Sequence, residues 1–229
     1  MSPKQPRKPS DSPRNALPPP LAVKRMSLYL RRAEALADKG QQTVSSQQLG
    51  KALGLTDAQV RKDLTHFGQF GRPGVGYPVG ELTERLRAIF GTDRVWNVAV
   101  VGVGSLGRAL LRYKGFAGKG FRPKAAFDSE DEKIGKKFGQ VVVQPMSELA
   151  DTVRKTRIRL AILAVPAEVA QDVTDRLCRV GIRGILNFAP VTLTVPAGVA
   201  VVPVDLAVQL EQLSYLVNVT GRKKQTSGV

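Results

Sequence analysis

The stretch VAVVGVGSLG, from Val98 to Gly107, carries the clearest chemistry in this 229-residue sequence. It is a short apolar run that ends in glycines and passes into a helical pattern. Gly102, Gly104 and Gly107 stand as G-x-G-x-x-G directly after a predicted strand, the context in which that spacing marks a dinucleotide site. Each glycine has its own task. Gly102 permits the tight turn out of the strand, Gly104 leaves room for a pyrophosphate to reach N–H groups at the helix start, and Gly107 lets the helix pack close on the sheet. Val103, Ser105 and Leu106 complete the expected cradle. An acid that accepts from the adenosine ribose is expected about 20 residues later, and Asp128 ends the apolar strand Lys124 to Asp128, 21 positions after Gly107. A carboxylate there repels a 2′-phosphate, which favours NAD over NADP. The alternative is that the glycines serve packing alone and Asp128 caps a turn.

The elements that must position these residues follow from the pattern. Beyond Asp128 strands and helices alternate: Val141 to Val143, a helix from Met146, Arg159 to Val165, a helix from Pro166 to Val180, and Gly184 to Phe188. Such alternation demands a parallel sheet, so the fold expected here is α/β and Rossmann-like. The turns at Val165-Pro166 and at Asn187-Phe188-Ala189 leave the same carboxyl edge as the glycine turn, and are expected to wall the nicotinamide end of the pocket. Lys133 is expected among the nucleotide contacts. Pro166 and Pro190 equally suit an ordinary helix start and loop.

The N-terminal part reads differently. Leu21 to Lys39 has apolar residues at helical spacing, Met26, Leu30, Ala33 and Ala37, with Arg31, Arg32 and Glu34 off that stripe. Ser45 with Gln48, and Thr56 with Gln59, fit capping boxes ahead of two more helices, and Gly54 and Leu55 make a tight turn between them. This is the pattern of a helix-turn-helix. Its second helix, Thr56 to Phe67, offers Gln59, Arg61, Lys62, Thr65 and His66 to a DNA groove. Ser45, Ser46 and Thr56, at the helix starts, complete the expected DNA-contacting set. The glycine-rich segment Gly68 to Tyr77 resembles the wing of a winged helix, with Arg72 placed to enter the minor groove or grip phosphate. A three-helix protein-interaction domain is the alternative, and the basic face argues against it. Glu81 to Phe90 adds an amphipathic helix before a domain boundary at Gly91, Thr92 and Asp93.

Lys and Arg number 35 against 19 Asp and Glu, a net charge of +16 that divides as +8 on each side of Gly91. Nucleic acid is the simplest partner for that excess, although a generally basic surface has the same charge. The single cysteine, Cys178, excludes an intrachain disulfide. No 18-residue apolar run and no signal-peptide core occur, so no membrane partner is expected and the protein is placed in the cytoplasm. Residues 1–20 hold seven of the fifteen prolines and read as a disordered basic tail. At the other end Asp205 opens a helix over 205–219 with an apolar stripe of Leu206, Leu210, Leu213, Leu216 and Val217, followed by a polar tail over 220–229. The stripe either covers its own sheet or crosses to a second subunit, which suits the two-fold reading of a palindrome.

Taken together, these residues resemble the redox-sensing transcriptional repressor family Rex. The resemblance rests on SSQQLGKALGLTDAQVRKDLTHFGQFGRPGVGY, on VVGVGSLGRALLRY, and on GILNFAP followed by VPVDLA, and spans about Val23 to Asn218. It implies a homodimer in which a winged helix-turn-helix domain (21–90) binds palindromic operator DNA. A Rossmann domain (91–204) binds NADH or NAD+, and the C-terminal helix is swapped into the partner. It further implies that Asp205 meets Tyr113 and Arg31, linking partner, nucleotide domain and DNA-binding domain. Some members are expected to carry an aromatic residue after that aspartate, where Leu206 stands here. The implied response has a basis in charge. NAD+ has a positive nicotinamide ring and NADH a neutral one, so an apolar pocket at Val165, Phe188 and Ala189 favours the reduced form, and NADH closes the dimer and releases DNA.

Three other readings stay open on the residues alone. An NAD-dependent dehydrogenase needs a positioned acid or base; the only histidine, His66, lies in the helix-turn-helix and no substrate domain follows, which leaves Lys114 or Tyr113, and the chain is not expected to be an enzyme. A second reading keeps the DNA-binding half and exchanges the ligand for coenzyme A or another nucleotide. In the third, the Rossmann half is only a dimerisation scaffold.

Overall fold

The chain forms two units, which divide between Asp93 and Arg94. The computed structural model describes residues 19–68, 70, 71 and 74–225. Arg72, residues 1–18 of the expected basic tail and residues 226–229 lie outside the described residues.

In the first unit, α1 (Pro20–Ala37) starts on a proline, whose missing N–H has no intrahelical acceptor at that position. Its buried face is Met26, Tyr29, Leu30, Ala33 and Leu36, while Ala37, expected on the stripe, is exposed. Ser45 opens α2 (Ser46–Leu53) with a complete capping box, its Oγ accepting from the Gln48 N–H at 3.0 Å and its own N–H donating to Gln48 Oε1 at 2.8 Å. Gly54 ends that helix in the left-handed region, φ +67°. α3 (Asp57–Thr65) forms only half of the expected box: Thr56 Oγ1 accepts from the Gln59 N–H at 3.1 Å, but the Gln59 side chain turns to Asp63. The strands β1 (Thr43–Val44) and β2 (Tyr77–Pro78) pair antiparallel and close the glycine-rich loop, and α4 (Val79–Phe90) packs on α1.

A single carboxylate ties α3 to α1. Asp63 is 1% exposed and accepts from Arg25 Nε at 2.5 Å and Nη2 at 2.7 Å, Tyr29 Oη at 2.7 Å and Gln59 Nε2 at 2.7 Å. Burial alone raises a carboxyl pKa, yet these donors, led by Arg25, hold Asp63 below the ordinary carboxylate range. Burial, together with that neighbouring charge, pushes the Tyr29 phenol up.

The second unit is a seven-stranded sheet in the order β5-β6-β4-β3-β7-β8-β9. Its strands are β3 (Trp96–Val101), β4 (Phe121–Asp128), β5 (Lys137–Phe138), β6 (Val141–Pro145), β7 (Leu160–Leu163), β8 (Gly184–Asn187) and β9 (Ala200–Pro203), parallel except for β5. From β3 the chain winds outward through β4 and β6, then returns to β7, β8 and β9. The switch point therefore lies between β3 and β7, where open α/β sheets place their ligands. The short β5 and the proline-flanked β9 were not expected from the sequence. α5 (Ser105–Arg112) covers one face over Val98, Val100 and Ala126, and α6 (Leu149–Thr156) with α7 (Ala167–Arg179) covers the other over Val101, Phe127 and Leu163. The helix expected from Met146 starts as a 3-10 turn, Met146–Glu148.

The last helix, α8 (Leu206–Gln225), runs six residues past its expected end. It does not cover its own sheet: Leu210 is 66% and Leu216 57% exposed. On the α5 side, meanwhile, the half of the sheet built from β7, β8 and β9 is bare, an apolar groove of about 400 Å³ lined by Leu160, Ile162, Leu186 and Val202 with Phe116 and Phe121. Among the described residues no helix is long and apolar enough to cross a membrane.

Asp63→Asn is expected to destabilise the first unit by about 3 kcal/mol, the scale for breaking a buried ion pair from one side. Hydrogen exchange on the full-length protein should show faster amides in α1 and α3 and unchanged amides in β3 and β4. Because the folded pKa is depressed, the carboxylate stabilises above its ordinary value of 3.8 and loses that contribution as pH falls through the folded value. The gap between wild type and variant should therefore close only in acid.

Candidate nucleotide and DNA sites

Two of the three glycines in the turn after β3 are required by protein atoms. Gly102 sits at φ +88°, and a Cβ there would collide with the Ala164 carbonyl after β7; a Cβ on Gly107 would collide with the carbonyl of Gly102. Gly104 is different. It caps α5 at φ −71°, and a Cβ on it would meet no protein atom within 4 Å, standing only in the cleft that Gly104 lines. The cradle therefore fits a ligand that comes close to the backbone, beside the N–H groups of the first turn of α5.

That cleft has a volume of about 680 Å³ and brings together Gly102, Gly104, Ser105, Leu106, Asp128, Lys133, Val165 and Pro166. Asp128 is 6% exposed; its Oδ2 accepts from the Val103 N–H at 2.6 Å and lies 3.3 Å from Lys133 Nζ, and its Oδ1 accepts from the Glu130 N–H at 3.0 Å. Burial pushes its pKa up, but the two backbone donors and Lys133 outweigh that and keep it ionised below the ordinary range. Val103 thus acts through its N–H, its side chain being fully buried. Lys133 also grips Glu130 at 2.6 Å. The far wall, Val169, Val173 and Arg176 of α7, was missed in the sequence. The core positions Ala170 and Leu177 already explained the helical period there, so the second face gave no separate signal.

Asn187, Phe188 and Ala189 do not wall this cleft. The Asn187 amide is 1% exposed and turned inward: Nδ2 donates to the carbonyls of Ala189 at 3.1 Å and Val191 at 2.9 Å, and Oδ1 accepts from the Ala189 N–H at 2.9 Å. It shapes the loop. Asn187 and Ala189 line a neighbouring cleft of about 530 Å³ with Asp205 and Val208, whereas Phe188 packs into the core on the α5 side, because successive side chains at a strand exit point to opposite faces. Asp205 caps α8, its Oδ1 accepting from the N–H groups of Ala207 at 2.8 Å and Val208 at 3.2 Å. Tyr113 is 59% exposed, with its ring edge-on to Phe116 at 4.9 Å. Arg31 is exposed on α1 of the first unit.

Of the expected DNA-contacting residues, Ser45, Ser46, Arg61 and Thr65 line one cleft of about 620 Å³ with the glycine-rich loop at Gly71 and Gly74. Arg61 is set there by Ser46 Oγ, which accepts from its Nη1 at 3.0 Å, and by Asp57 at 2.8 Å. Thr56 acts as a cap, Lys62 is exposed, and Gln59 faces Asp63 instead of the surface of α3. Gln59 is thus a brace within the fold and not a free groove reader. Gly50 escaped sequence reasoning: a Cβ on it would come within 2.5 Å of the Leu55 carbonyl, so it lets the turn close on α2.

Comparison with known proteins matches a family model to each unit. A family model described as CoA binding domain matches residues 93–191, and one described as Putative DNA-binding protein N-terminus matches residues 19–65. The Redox-sensing transcriptional repressor Rex of Carboxydothermus hydrogenoformans is 47% identical over 197 residues, 86% of this chain and 95% of that protein. The chain belongs to the Rex family. Rex of a Roseiflexus species is 46% identical over 198 residues, 86% of this chain and 90% of its own length. Among solved structures, RSP, a Rex-family repressor, in complex with beta-NAD+ and operator DNA aligns with a TM-score of 0.85 at 34% identity, over 93% of this chain and 99% of RSP. RSP with beta-NADH aligns at 0.83 and 33% identity, over 93% of this chain and 100% of RSP. The fold is therefore that of Rex: an N-terminal DNA-binding domain and a Rossmann-like domain.

In this Rex family member the glycines separate by experiment. Gly107→Ala should lower stability by about 1–3 kcal/mol through overpacking, whereas Gly104→Ala should stay within about 0.5 kcal/mol of wild type. Thermal unfolding without ligand checks both.

Proposed function

We propose that this chain is a redox-sensing transcriptional repressor that binds palindromic operator DNA as a homodimer and is released when NADH binds. The observation that carries this reading is Gly104, the one glycine of the turn with no protein neighbour to require it, lined up with the ionised Asp128 in one cleft. First-turn N–H groups of α5 would hold a pyrophosphate, and Asp128, oriented by Val103 and Glu130, would accept from the adenosine ribose. Lys133 neutralises the rim, and apolar Val165 stands where a neutral ring is preferred to a charged one. The nucleotide supplies only its redox-dependent charge and shape; the chain is not read as an enzyme, and its place of action is the cytoplasm. The complexes of RSP with NAD+ and operator DNA, and with NADH, support the same assignment.

The dimer reading rests on two unpartnered surfaces of the second unit. α8 exposes Leu206, Leu210, Leu213 and Leu216, and the bare groove over β7, β8 and β9 is apolar throughout. An exposed apolar patch of this kind marks an interface. A second copy's α8 in that groove would bury both and bring its Asp205 toward Tyr113 and Arg31, the residues through which nucleotide binding would reach the DNA-binding domain. Closure of the dimer would then spoil the match of two α3 helices to half-sites about one helical turn apart.

The test is fluorescence anisotropy of a labelled palindromic operator at fixed salt, without nucleotide, with NAD+ and with NADH. NADH should release the DNA and NAD+ should not; an operator affinity indifferent to NADH refutes the reading. Release by coenzyme A instead would favour the ligand named by the matching family model. Asp128→Ala should raise the NADH concentration needed for release by about 10- to 100-fold, the scale of one hydrogen bond to a charged group. Leu210→Asp with Leu216→Asp should yield monomers in sedimentation and abolish tight operator binding.

A further inference from the structure

The second unit carries a charge asymmetry that neither the nucleotide cleft nor the dimer groove uses. From Arg94 to Phe127 the sequence holds seven cations and no acidic residue. Within that stretch Arg108 and Arg112, one turn apart on α5, both lie over the ring of Phe138 in β5, at 5.9 and 5.8 Å from its centroid. Lys136 and Lys137 directly precede that ring, and all four cations are exposed. Among the described residues none of the four takes part in an ion pair. Asp93 and Asp128 bound that stretch, and Glu130, Asp131 and Glu132 lie in the loop after β4, where Lys133 engages Asp128 and Glu130.

We propose that this α5–β5 surface is a second, sequence-independent contact to duplex DNA, gripping phosphates beside the operator. A guanidinium resting on an aromatic face keeps its N–H edge outward and gives up little freedom when it meets an oxyanion. Two such groups on one ring, flanked by two ammonium groups, suit a row of phosphates, and contacts of that kind position a protein without reading bases. Duplex DNA is the polyanion favoured here because the other unit of the chain carries the helix-turn-helix and only Gly91 to Val95 joins α4 to β3. A weak phosphate affinity in the second unit then acts at high effective concentration. The inference rests on the DNA-binding reading above, but not on release by NADH.

The experiment is the salt dependence of anisotropy for full-length protein on two labelled duplexes of equal length, one carrying the RSP operator at its centre and one scrambled. The variant is Arg112→Ser, Lys136→Ser, Lys137→Ser, which leaves Arg108 in place because its Nε donates to the Gly104 carbonyl at 3.3 Å. A control removes equal charge from the helices of the opposite face, Arg154→Ser, Lys155→Ser, Arg179→Ser. The slope of log affinity against log salt should become shallower by about 2.7 per protomer on both duplexes, since each of the three lost phosphate contacts contributes about 0.9. The control should keep the wild-type slope. A triple variant with the wild-type slope on both duplexes, or a control that loses as much, overturns the proposal. Failure of the operator reading would look different, as wild-type protein that does not distinguish the two duplexes, and the scrambled duplex would still report on the patch.

Discussion

The close approach of α5 to the sheet edge is the constraint on which the second unit depends. Gly107 sits against the carbonyl of Gly102, and Gly102 in turn sits against the carbonyl of Ala164 after the neighbouring strand. With no side chain at either place, the start of α5 drops into the gap between β3 and β7, where the sheet reverses its winding. That packing leaves the first-turn N–H groups facing a cleft instead of a core. It also brings the Val103 N–H onto Asp128, so one backbone turn both lines the cleft and orients the acid beside it.

Two buried carboxylates play matching parts in the two units. Asp63 holds α3 against α1, and Asp128 stands at the end of β4 beside the glycine turn. Each is surrounded by enough donors to overcome the cost of burial and stay ionised. Their surroundings differ in what they leave free. The donors to Asp63 are all side chains of the same small core, so its charge is directed wholly to structure. Asp128 lines an open cleft and keeps acceptor capacity beyond its three donors.

The apolar surfaces are arranged by the same economy. α6 and α7 cover one face of the sheet over β3, β4, β7 and β8, but α5 covers only the β3, β4 and β6 half of the other. The uncovered half and the exposed stripe of α8 are complementary in character within one chain that does not bring them together. Exposed apolar surfaces of this kind mark interaction sites, and in the proposed dimer each copy's α8 would cover the other's groove.

By itself the sequence determined the local devices: the G-x-G-x-x-G turn and its acid, the serine and threonine caps, the left-handed Gly54, and the strand–helix alternation that demands a parallel sheet. All of these depend on spacing within one element or between neighbours, and spacing is what a linear pattern records. The tertiary structure alone decided that Gln59 braces Asp63, that Asn187 pins its own loop while Phe188 turns to the opposite face, and that α7 supplies a wall of the cleft. It also decided that α8 leaves its own sheet bare. The physical reason is common to these cases. A side chain's partner depends on which groups meet it in space, and residues 25 and 63, or a helix stripe and a distant sheet face, carry no mutual signal until the chain has folded.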